Sequence, residues 1–499
     1  MELQFNKTVC ACLRKAVNQV QTQEQTQEVR LPDEMPDVGS VLGAWGQVLI
    51  RSKEWYNSGM GISCGAMVWI LYAPEDGSEP RSVETWIPFQ LKWEFPDTER
   101  DGTIHTECFL RNVDARSISA RKLMVRAGIS VMGEAMVLGE IEISQPGEVP
   151  EDVQVLKNSY PVCLPREAGE KPFTIEETLT LPNTAPRLEK LIRYELRPEI
   201  TDKKIMSDKI VFRGTALLHI FYLAEDGSFN SWDFEIPFSQ FTELDREYSQ
   251  DATARISPAV TSLELETGEN GTLQIKVGLT GQYMVCDTEV MEIVEDAYSP
   301  NRIVTPMVEL LEMPIILDER RDTVYAERSV EVEGNKVADA VFYQDVPRMM
   351  RDVDAVQAEL SGVFQMLYYD LEGNLQSAAP RWDGLWLLPA DENSKVELKV
   401  CATGVPQVSI GGGNANLRAE VLAEAVTTAK QGLPMVTGLE LGERKEPDPN
   451  RPSLILRKTQ KESLWELAKN CGSTVEAIQK ANRLTEEPEQ DRILLIPVL

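Results

Sequence analysis

ILYAPEDGS (Ile70–Ser78), IFYLAEDGS (Ile220–Ser228) and MLYYDLEGN (Met366–Asn374) are three copies of one short pattern in a chain of 499 residues. Each copy runs from an apolar and aromatic stretch to an acidic residue and a glycine. Glycine after an acidic residue lets a β-hairpin turn adopt positive φ. Successive copies are 150 and 146 residues apart. This period is too long for a solenoid and predicts tandem domains.

Other landmarks repeat with the same period. WIPFQ (86–90) returns as EIPFSQ (235–240) and more loosely as WLLPA (386–390). VRLPDEMPDV (29–38) returns as LTLPNTAPRL (179–188), whereas the third copy has lost this entry motif.

Apolar and polar residues alternate over most of the intervening sequence, as in KIVFRGTALLHIFYL (209–223). This period of two is typical of strands that bury one face of a sheet. The sequence therefore predicts a mainly β chain with three tandem β-rich, sandwich-like repeat domains. Their expected bounds are 1–150, which includes an N-terminal extension, 165–305, and 306–440, the most diverged copy.

The end of the chain has a different pattern. A charged, proline-containing linker is predicted at 441–453, followed by a strand at 454–459. Ser463 and Glu466 form the S-x-x-E pattern of a capping box before a short amphipathic helix. Ser473 and Glu476 repeat that pattern, and RILLIP (492–497) is typical of a closing strand. We expect a small βααβ domain over residues 454–499.

Charge separates the two parts of the chain. The protein contains 80 acidic and 50 basic side chains, a net charge of −30. Residues 454–499 hold seven of each sign, so the whole net charge lies in residues 1–453. An acidic surface repels phosphate backbones and anionic lipid headgroups, which disfavours nucleic acid and membrane as partners. A neutral terminal domain is easier to dock on a protein.

SLWELAKNCGSTVEAIQKAN (463–482), with LLIP (494–497) at its close, resembles the LysM domain. This resemblance implies a βααβ fold and a groove between the loop that enters the first helix and the loop that leaves the second. LysM domains generally bind glycans that contain N-acetylglucosamine. The usual glycines of both loops are replaced here, by Lys461 to Ser463 in the entry loop and Glu489 in the exit loop.

The tandem β-rich repeats, LPDEMPDVGSVLGAWGQVLI (31–50) and the LysM-like end together resemble the SPOCS-domain spore-coat morphogenetic proteins of the SipL type. The resemblance implies a non-enzymatic scaffold in the mother-cell cytoplasm, at the forespore surface and spore coat. It implies a coat-assembly ATPase, the stage IV sporulation protein A, as the partner of the LysM domain. The predicted partner-binding residues are Lys461, Glu462, Ser463, Trp465, Asn482, Arg483 and Leu484.

Residue types give little support to an enzyme. The two histidines are His105 and His219, and His219 lies in an alternating stretch where a hydrogen-bonded strand histidine is the favoured interpretation. The eight cysteines show no metal-ligand spacing, and glycines 411–413 lack the context of a phosphate-binding loop. We expect no cofactor, no metal and no catalytic residue.

Two rival functions use the same C-terminal domain. One is a peptidoglycan-binding protein that keeps the glycan groove, and the other is a hydrolase targeted by its LysM domain. The N-terminal sequence lacks the apolar core of a secretion signal, and no stretch of about 18 apolar residues predicts a membrane-spanning helix. Both features favour the scaffold, because peptidoglycan lies across a membrane.

Overall fold

The computed structural model describes residues 2–56, 59–95, 101–268, 271–352, 355–446, 451–458, 462–486 and 492–499. Nearly all regular structure in these ranges is antiparallel β-strand, and two short helices lie near the end. The prediction of a mainly β chain is confirmed.

After a short strand β1 (Glu2–Gln4), the first pair of sheets is built from six strands. They are β2 (Asn6–Arg30), β3 (Val38–Tyr56), β4 (Gly59–Pro74), β5 (Arg81–Glu94), β6 (Thr103–Ser119) and β7 (Lys122–Gln145). The order β2-β7-β6 forms what we call the long sheet, and β3-β4-β5 forms the meander sheet. Apolar residues of the two sheets share one buried cluster, as in a sandwich.

The second sheet pair repeats this topology. Its strands are β8 (Gln154–Thr180), β9 (Leu188–Met206), β10 (Lys209–Ala224), β11 (Phe229–Glu243), β12 (Thr253–Thr267) and β13 (Thr272–Tyr298). The long sheet has the order β12-β13-β8 and the meander sheet the order β11-β10-β9.

The third sheet pair is a variation on the same plan. Its strands are β14 (Arg302–Glu331), β15 (Gly334–Gln344), β16 (Arg348–Arg351), β17 (Ala355–Asp370), β18 (Leu375–Ala378), β19 (Arg381–Pro389), β20 (Ser394–Gly411) and β21 (Asn414–Arg444). In the meander sheet, β15, β16, β18 and β19 all pair with β17. In the long sheet, β14 and β20 pair with β21, which also pairs with β1.

The three repeated turns are hairpins, as the sequence predicts. Gly77, Gly227 and Gly373 have φ of 72°, 78° and 90°, so each turn needs a residue that tolerates the left-handed region. The acidic side chain of each turn accepts a backbone N–H: Asp76 from Ser78 and Asp226 from Ser228, both at 2.9 Å. In the third copy the acceptor is at a different position: Asp370, two residues before Glu372, accepts the N–H groups of Glu372 and Asn374.

The LP…P entry motif is fixed by a buried tyrosine of the repeated hairpin. Tyr72 donates its hydroxyl hydrogen to the Pro36 carbonyl, and Tyr222 donates to the Pro186 carbonyl, both at 3.0 Å. Both tyrosines are fully buried, whereas Tyr368, the residue at this place in the third copy, is half-buried. The loss of the entry motif in the third repeat therefore coincides with the loss of this contact.

The three sheet pairs close into a ring. The first meander strand of each pair (β3, β9 and β15) carries one polar side chain that bonds to the backbone of the next pair. Each contact falls on the residue just before the equivalent polar residue, so the contacts follow one cyclic pattern. They are Gln47 with Leu196, at 2.6 and 2.9 Å, Arg197 with the Phe342 carbonyl, at 3.5 Å, and Tyr343 with the Gly46 N–H, at 3.1 Å.

A buried ion pair lies beside this ring of contacts. Four residues before each polar side chain stand Gly43, Arg193 and Asp339. Arg193 donates to Asp339 from Nε at 2.9 Å and from Nη2 at 2.5 Å, and its guanidinium lies 5.5 Å from the Trp45 ring. A Cβ on Gly43 would lie 2.3 Å from that ring, so glycine provides its space. The long sheets also meet, in a buried apolar cluster with members from all three pairs.

The last element group, residues 454–499, is called the C-terminal module. It contains β22 (Leu454–Lys458), α1 (Leu464–Cys471), α2 (Val475–Asn482) and β23 (Ile493–Pro497), and the two strands pair antiparallel. The predicted order of strand, helix, helix and strand is confirmed. The module has its own apolar core, formed by Leu464, Leu467, Ala468, Ile478, Leu494 and Ile496.

The two predicted capping boxes have different outcomes. Ser463 accepts the Glu466 N–H while Glu466 accepts the Ser463 N–H, so the first box is confirmed. The second prediction is wrong, because Thr474 is the N-cap of α2 and accepts the Ala477 N–H. Ser473 instead closes the end of α1, where its N–H donates to the Ala468 carbonyl.

Several strand bounds differ from the domain limits expected from the sequence. Strand β8 begins at Gln154, before the expected start at 165, and β14 begins at Arg302, before 306. Strand β21 continues to Arg444, into the expected linker at 441–453, of which residues 447–450 lie outside the described ranges. Residues 6–30, near the start of the first expected domain, form β2, which pairs with β7 along its length.

Candidate functional site: the C-terminal module and its contact with the body

The predicted partner-binding residues lie at both ends of the helical hairpin. Lys461 lies outside the described residues. Glu462 accepts a hydrogen bond from Arg457 at 2.7 Å, and Ser463 caps α1. The side chains of the entry loop that the structure describes are thus held by contacts within the module.

The exit from α2 contains the other predicted residues. The Asn482 side chain bonds to both the N–H and the carbonyl of Leu495, at 2.8 and 2.6 Å, and thereby ties α2 to β23. Leu484 packs against the module core. Arg483 has φ of 56°, ends the helix in the left-handed region and exposes its side chain. Among these three residues, Arg483 is the one most available to a partner.

Trp465 makes a contact within the chain. Its ring meets Tyr298, at the end of β13, edge to face, with 4.7 Å between ring centroids and an interplanar angle of 75°. Its Nε1 donates to Asp296 Oδ2 at 2.8 Å. The helix face that carries Trp465 is therefore turned toward the body, by which we mean residues 2–446.

Further polar contacts complete this interface, which we call the docking patch. It consists of Asp296 and Tyr298 on the body and of Trp465, Lys469 and Ser473 on the module. Lys469 Nζ lies 2.8 and 2.6 Å from the two Asp296 carboxylate oxygens, and the Tyr298 hydroxyl donates to the Ser473 carbonyl at 3.1 Å. Burial, with the nearby Asp296 carboxylate, raises the pKa of Tyr298 to about 12, so this phenol remains a donor at neutral pH.

The docking patch fixes the orientation of the module. Tyr298 is 5% exposed and belongs to the same buried cluster as the module core. Sequence analysis did not identify Asp296 or Tyr298, because VEDAYSP (294–300) carries no motif and its partners lie about 170 residues away. The amphipathic pattern of α1 gave one signal, since it places a large aromatic residue at the edge of the apolar face.

One face of the module sheet is mostly apolar and exposed, with Lys458 at its edge. Directly paired residues share a face of an antiparallel sheet, and β22 pairs Leu456 with Leu495 and Lys458 with Ile493. Leu454, Leu456 and Ile493 are 47%, 69% and 68% exposed. The opposite face holds Leu494 and Ile496, which are fully buried in the module core. None of the described residues covers Leu454, Leu456 or Ile493, so these side chains are available to a partner.

Both histidines are hydrogen-bonded within the fold. His219 lies in β10, is 3% exposed, and bonds through Nδ1 to Asp233 at 2.6 Å and through Nε2 to Asp339 at 3.0 Å. Burial alone would lower the pKa of His219, but these carboxylates raise it to about 9. Burial lowers the pKa of His105 to about 4, and its Nε2 lies 3.2 Å from the Gly169 carbonyl.

Comparison with protein-family models identifies one segment of the chain. Residues 187–267 match the model described as SipL, SPOCS domain. The chain carries a SipL-type SPOCS domain. The matched SPOCS segment spans β9 to β12, which is the complete second meander sheet and one strand of its long sheet. It also contains Arg193 and His219, two members of the buried network between the second and third sheet pairs.

The SPOCS domain marks a sporulation-related coat protein. Comparisons with curated proteins and with solved structures gave no match. Within the described residues, no helix is both long and apolar enough to cross a membrane.

Proposed function

We propose that this chain is a non-enzymatic scaffold in spore coat assembly. In this proposal the C-terminal module is a LysM domain that binds a coat-assembly ATPase of the stage IV sporulation protein A type. Binding takes place in the mother-cell cytoplasm, at the forespore surface. The SPOCS match supports the place in sporulation, and the order of elements in the module supports its assignment as LysM-like.

The observation that carries the proposal is the exposed apolar face of the module sheet. Leu454, Leu456 and Ile493 lie together on a module whose net charge is zero. Contiguous apolar surface of this kind marks a protein-interaction site. Glycan sites instead need close approach of backbone to sugar, and both loop glycines of the usual groove are replaced here.

The docking patch gives the scaffold a defined geometry. Trp465 and Lys469 hold the module on the end of β13, so the exposed sheet face keeps one orientation relative to the ring of sheet pairs. A partner that meets a preorganised surface loses less conformational entropy on binding than one that must order a mobile domain. The acidic body then offers further surfaces close to the same partner.

The experiment is a binding assay of the full chain against the purified ATPase, with insoluble peptidoglycan in parallel. Leu456→Asp places a charge in the centre of the apolar face and should weaken ATPase binding at least tenfold. Leu138→Asp is the matched control, because Leu138 is 78% exposed on the body. Arg483→Ala should weaken binding less, since Arg483 lies at the rim.

The outcomes separate the candidate functions. Loss of ATPase binding in Leu456→Asp but not in Leu138→Asp supports the proposal. Equal effects of the two substitutions on ATPase binding would refute the proposal. Retention on peptidoglycan without ATPase binding would also refute it and would favour the glycan-binding alternative.

A further inference from the structure

Two cysteines lie side by side on the long sheet of the second sheet pair. Cys163, in β8, is opposite Thr288, and Cys286, in β13, is opposite Pro165. The two cysteines are therefore diagonal neighbours on one face of the sheet, where side chains of adjacent strands can touch. Their thiol groups are in hydrogen-bond contact, and both cysteines are free and half-buried. The sheet thus holds two free thiols together in a position that solvent can reach.

A cation lies on the same face of this sheet. Thr253 of β12 pairs with Cys286, and Arg255, two residues further along β12, points to the same side. Arg255 Nη2 lies 3.9 Å from Glu319 Oε1, and the Arg255 side chain is 45% exposed. Because an exposed pair at this distance interacts weakly, the guanidinium remains able to attract a second anion.

These neighbours favour a thiolate on Cys163. The hydrogen bond from Cys286, together with a hydrogen bond from Thr288 and the charge of Arg255, outweighs burial and lowers the pKa of Cys163 to about 6. The same contact raises the pKa of Cys286, so Cys286 keeps its proton. The pair therefore consists of a nucleophilic thiolate and an adjacent thiol, the arrangement found at oxidation-sensitive cysteines.

A second pair of thiols provides a comparison within the same chain. Cys64 of β4 and Cys108 of β6 are also in hydrogen-bond contact, but they lie at the core of the first sheet pair. Cys64 is 1% exposed. The Cys64 hydrogen bond and burial raise the pKa of Cys108 well above its ordinary value, so this thiol stays protonated. Contact between thiols is thus common to both pairs, whereas access and an available thiolate belong to the first.

We propose that Cys163 and Cys286 form a modification site, a dithiol that hydrogen peroxide converts to a disulfide. The Cys163 thiolate attacks one peroxide oxygen, so an S–O bond forms, the O–O bond breaks, and the departing hydroxide takes up a proton and leaves as water. The Cys286 sulfur then attacks the Cys163 sulfur. The S–S bond forms as the S–O bond breaks, and the second water carries away the Cys286 proton. The two sulfurs are oxidised, and both peroxide oxygens are reduced to water.

The disulfide has a structural consequence for the second sheet pair. It joins β8 to β13 around residues 187–267, the matched SPOCS segment. Closing so long a loop lowers the entropy of the unfolded chain and stabilises the folded one. In a reducing compartment such a bond is transient and responds to oxidants. This inference does not depend on the proposed partner of the C-terminal module.

The test is mass spectrometry of the full chain after exposure to hydrogen peroxide at neutral pH. Remaining thiols are blocked with iodoacetamide in denaturant, and the chain is digested without a reductant. The Cys163–Cys286 disulfide should form roughly tenfold faster than a Cys64–Cys108 disulfide. Its formation should raise the thermal unfolding midpoint by several degrees, and dithiothreitol should reverse both changes.

Two variants separate the steps of the reaction. In Cys286→Ser the second step is blocked, so Cys163 should stop at the sulfenic acid, which dimedone traps. Arg255→Gln removes the cation and should slow disulfide formation about threefold. Arg418→Gln is the matched control, because the Arg418 side chain is 47% exposed and also lies near a glutamate, but stands on β21.

A Cys163–Cys286 disulfide that forms ahead of the buried pair, with a trapped sulfenic acid in Cys286→Ser, supports the proposal. The proposal is overturned if this pair oxidises no faster than Cys64 and Cys108, if peroxide oxidises Cys163 in the native chain without forming the disulfide, or if Arg255→Gln and Arg418→Gln behave alike.

Discussion

The body and the C-terminal module are held together in different ways. The body consists of three sheet pairs that share buried apolar clusters and are linked by a cyclic set of hydrogen bonds and a buried ion pair. The module has a small core of its own and touches the body through a few side chains around Asp296 and Tyr298. Loss of one contact between the sheet pairs should therefore destabilise the whole body, whereas loss of a contact in the docking patch should release an intact module.

Asp339→Ala should have the largest effect on stability. It leaves the Arg193 guanidinium fully buried without its main partner and removes one of the two carboxylates of His219. Breaking a buried ion pair from one side costs about 3–5 kcal/mol. Unfolding in urea, followed by far-ultraviolet circular dichroism, measures the loss. Lys7→Ala, which breaks the exposed pair with Glu142, is the control and should have a much smaller effect on stability.

The pH dependence of stability tests the contact between His219 and Asp339 without removing the carboxylate. Asp339 and Asp233 raise the pKa of His219 from its ordinary value near 6.5 to about 9 in the folded chain. A raised pKa means that protonation favours folding. The stabilisation is fully present below pH 6.5 and is lost as the pH rises through about 9.

The difference in unfolding free energy between the native chain and His219→Gln should follow this titration. It should be on the order of 3 kcal/mol near pH 6 and should shrink toward pH 9.5. A difference that is constant across this range would contradict the buried, protonated state of His219.

Asp296→Ala should have a smaller effect that is confined to the module contact. It removes the acceptor of both Trp465 Nε1 and the Lys469 ammonium, and such charge-assisted bonds contribute about 1.5–3 kcal/mol when they are shielded from water. Lys469 is 42% exposed, so we expect the lower end of that range. Amide hydrogen exchange should rise near residues 291–298 while the exchange of α1 and α2 changes little. Faster exchange throughout the module would mean that it does not fold on its own core.

Arg483→Ala should have the smallest effect on folding. The Arg483 side chain is exposed, and its backbone, not its side chain, ends α2. We expect a change within about 0.5 kcal/mol in unfolding free energy. A larger destabilisation would show that Arg483 supports the module and would remove it as a candidate partner contact.

Local patterns predicted the hairpins and the order of elements in the module. The conformation of a turn depends on adjacent residues, so the pairs Asp76–Gly77 and Asp226–Gly227 predict it directly. The capping box at Ser463 is equally local. The prediction of the second box failed because serine and threonine are both favoured at N-caps, and Ser473 and Thr474 are adjacent. Where α1 ends decides which of the two residues caps α2.

The contacts of the ring and of the docking patch could not be predicted from local sequence patterns. Arg193 and Asp339 are 146 residues apart, and neither lies in a motif. Asp296 and Trp465 meet only because the end of β13 and the start of α1 come together in the folded chain. The early start of β8 was missed because its first residues, QVLKNSYP (154–161), alternate weakly and contain a proline. Contacts between residues that are far apart in the sequence produce no local sequence pattern from which they could be predicted.

The most direct test of this account is zero-length carbodiimide crosslinking of the full chain. It joins an amine and a carboxylate that are already in contact, and Lys469 lies 2.6 Å from Asp296. Mass spectrometry should find the Asp296–Lys469 crosslink in the native chain, along with the Lys7–Glu142 crosslink as an internal standard. In Tyr298→Ala the first crosslink should fall while the standard is retained. If Lys469 instead joins many different carboxylates in the native chain, the module is not held at the docking patch and the fixed orientation proposed here is wrong.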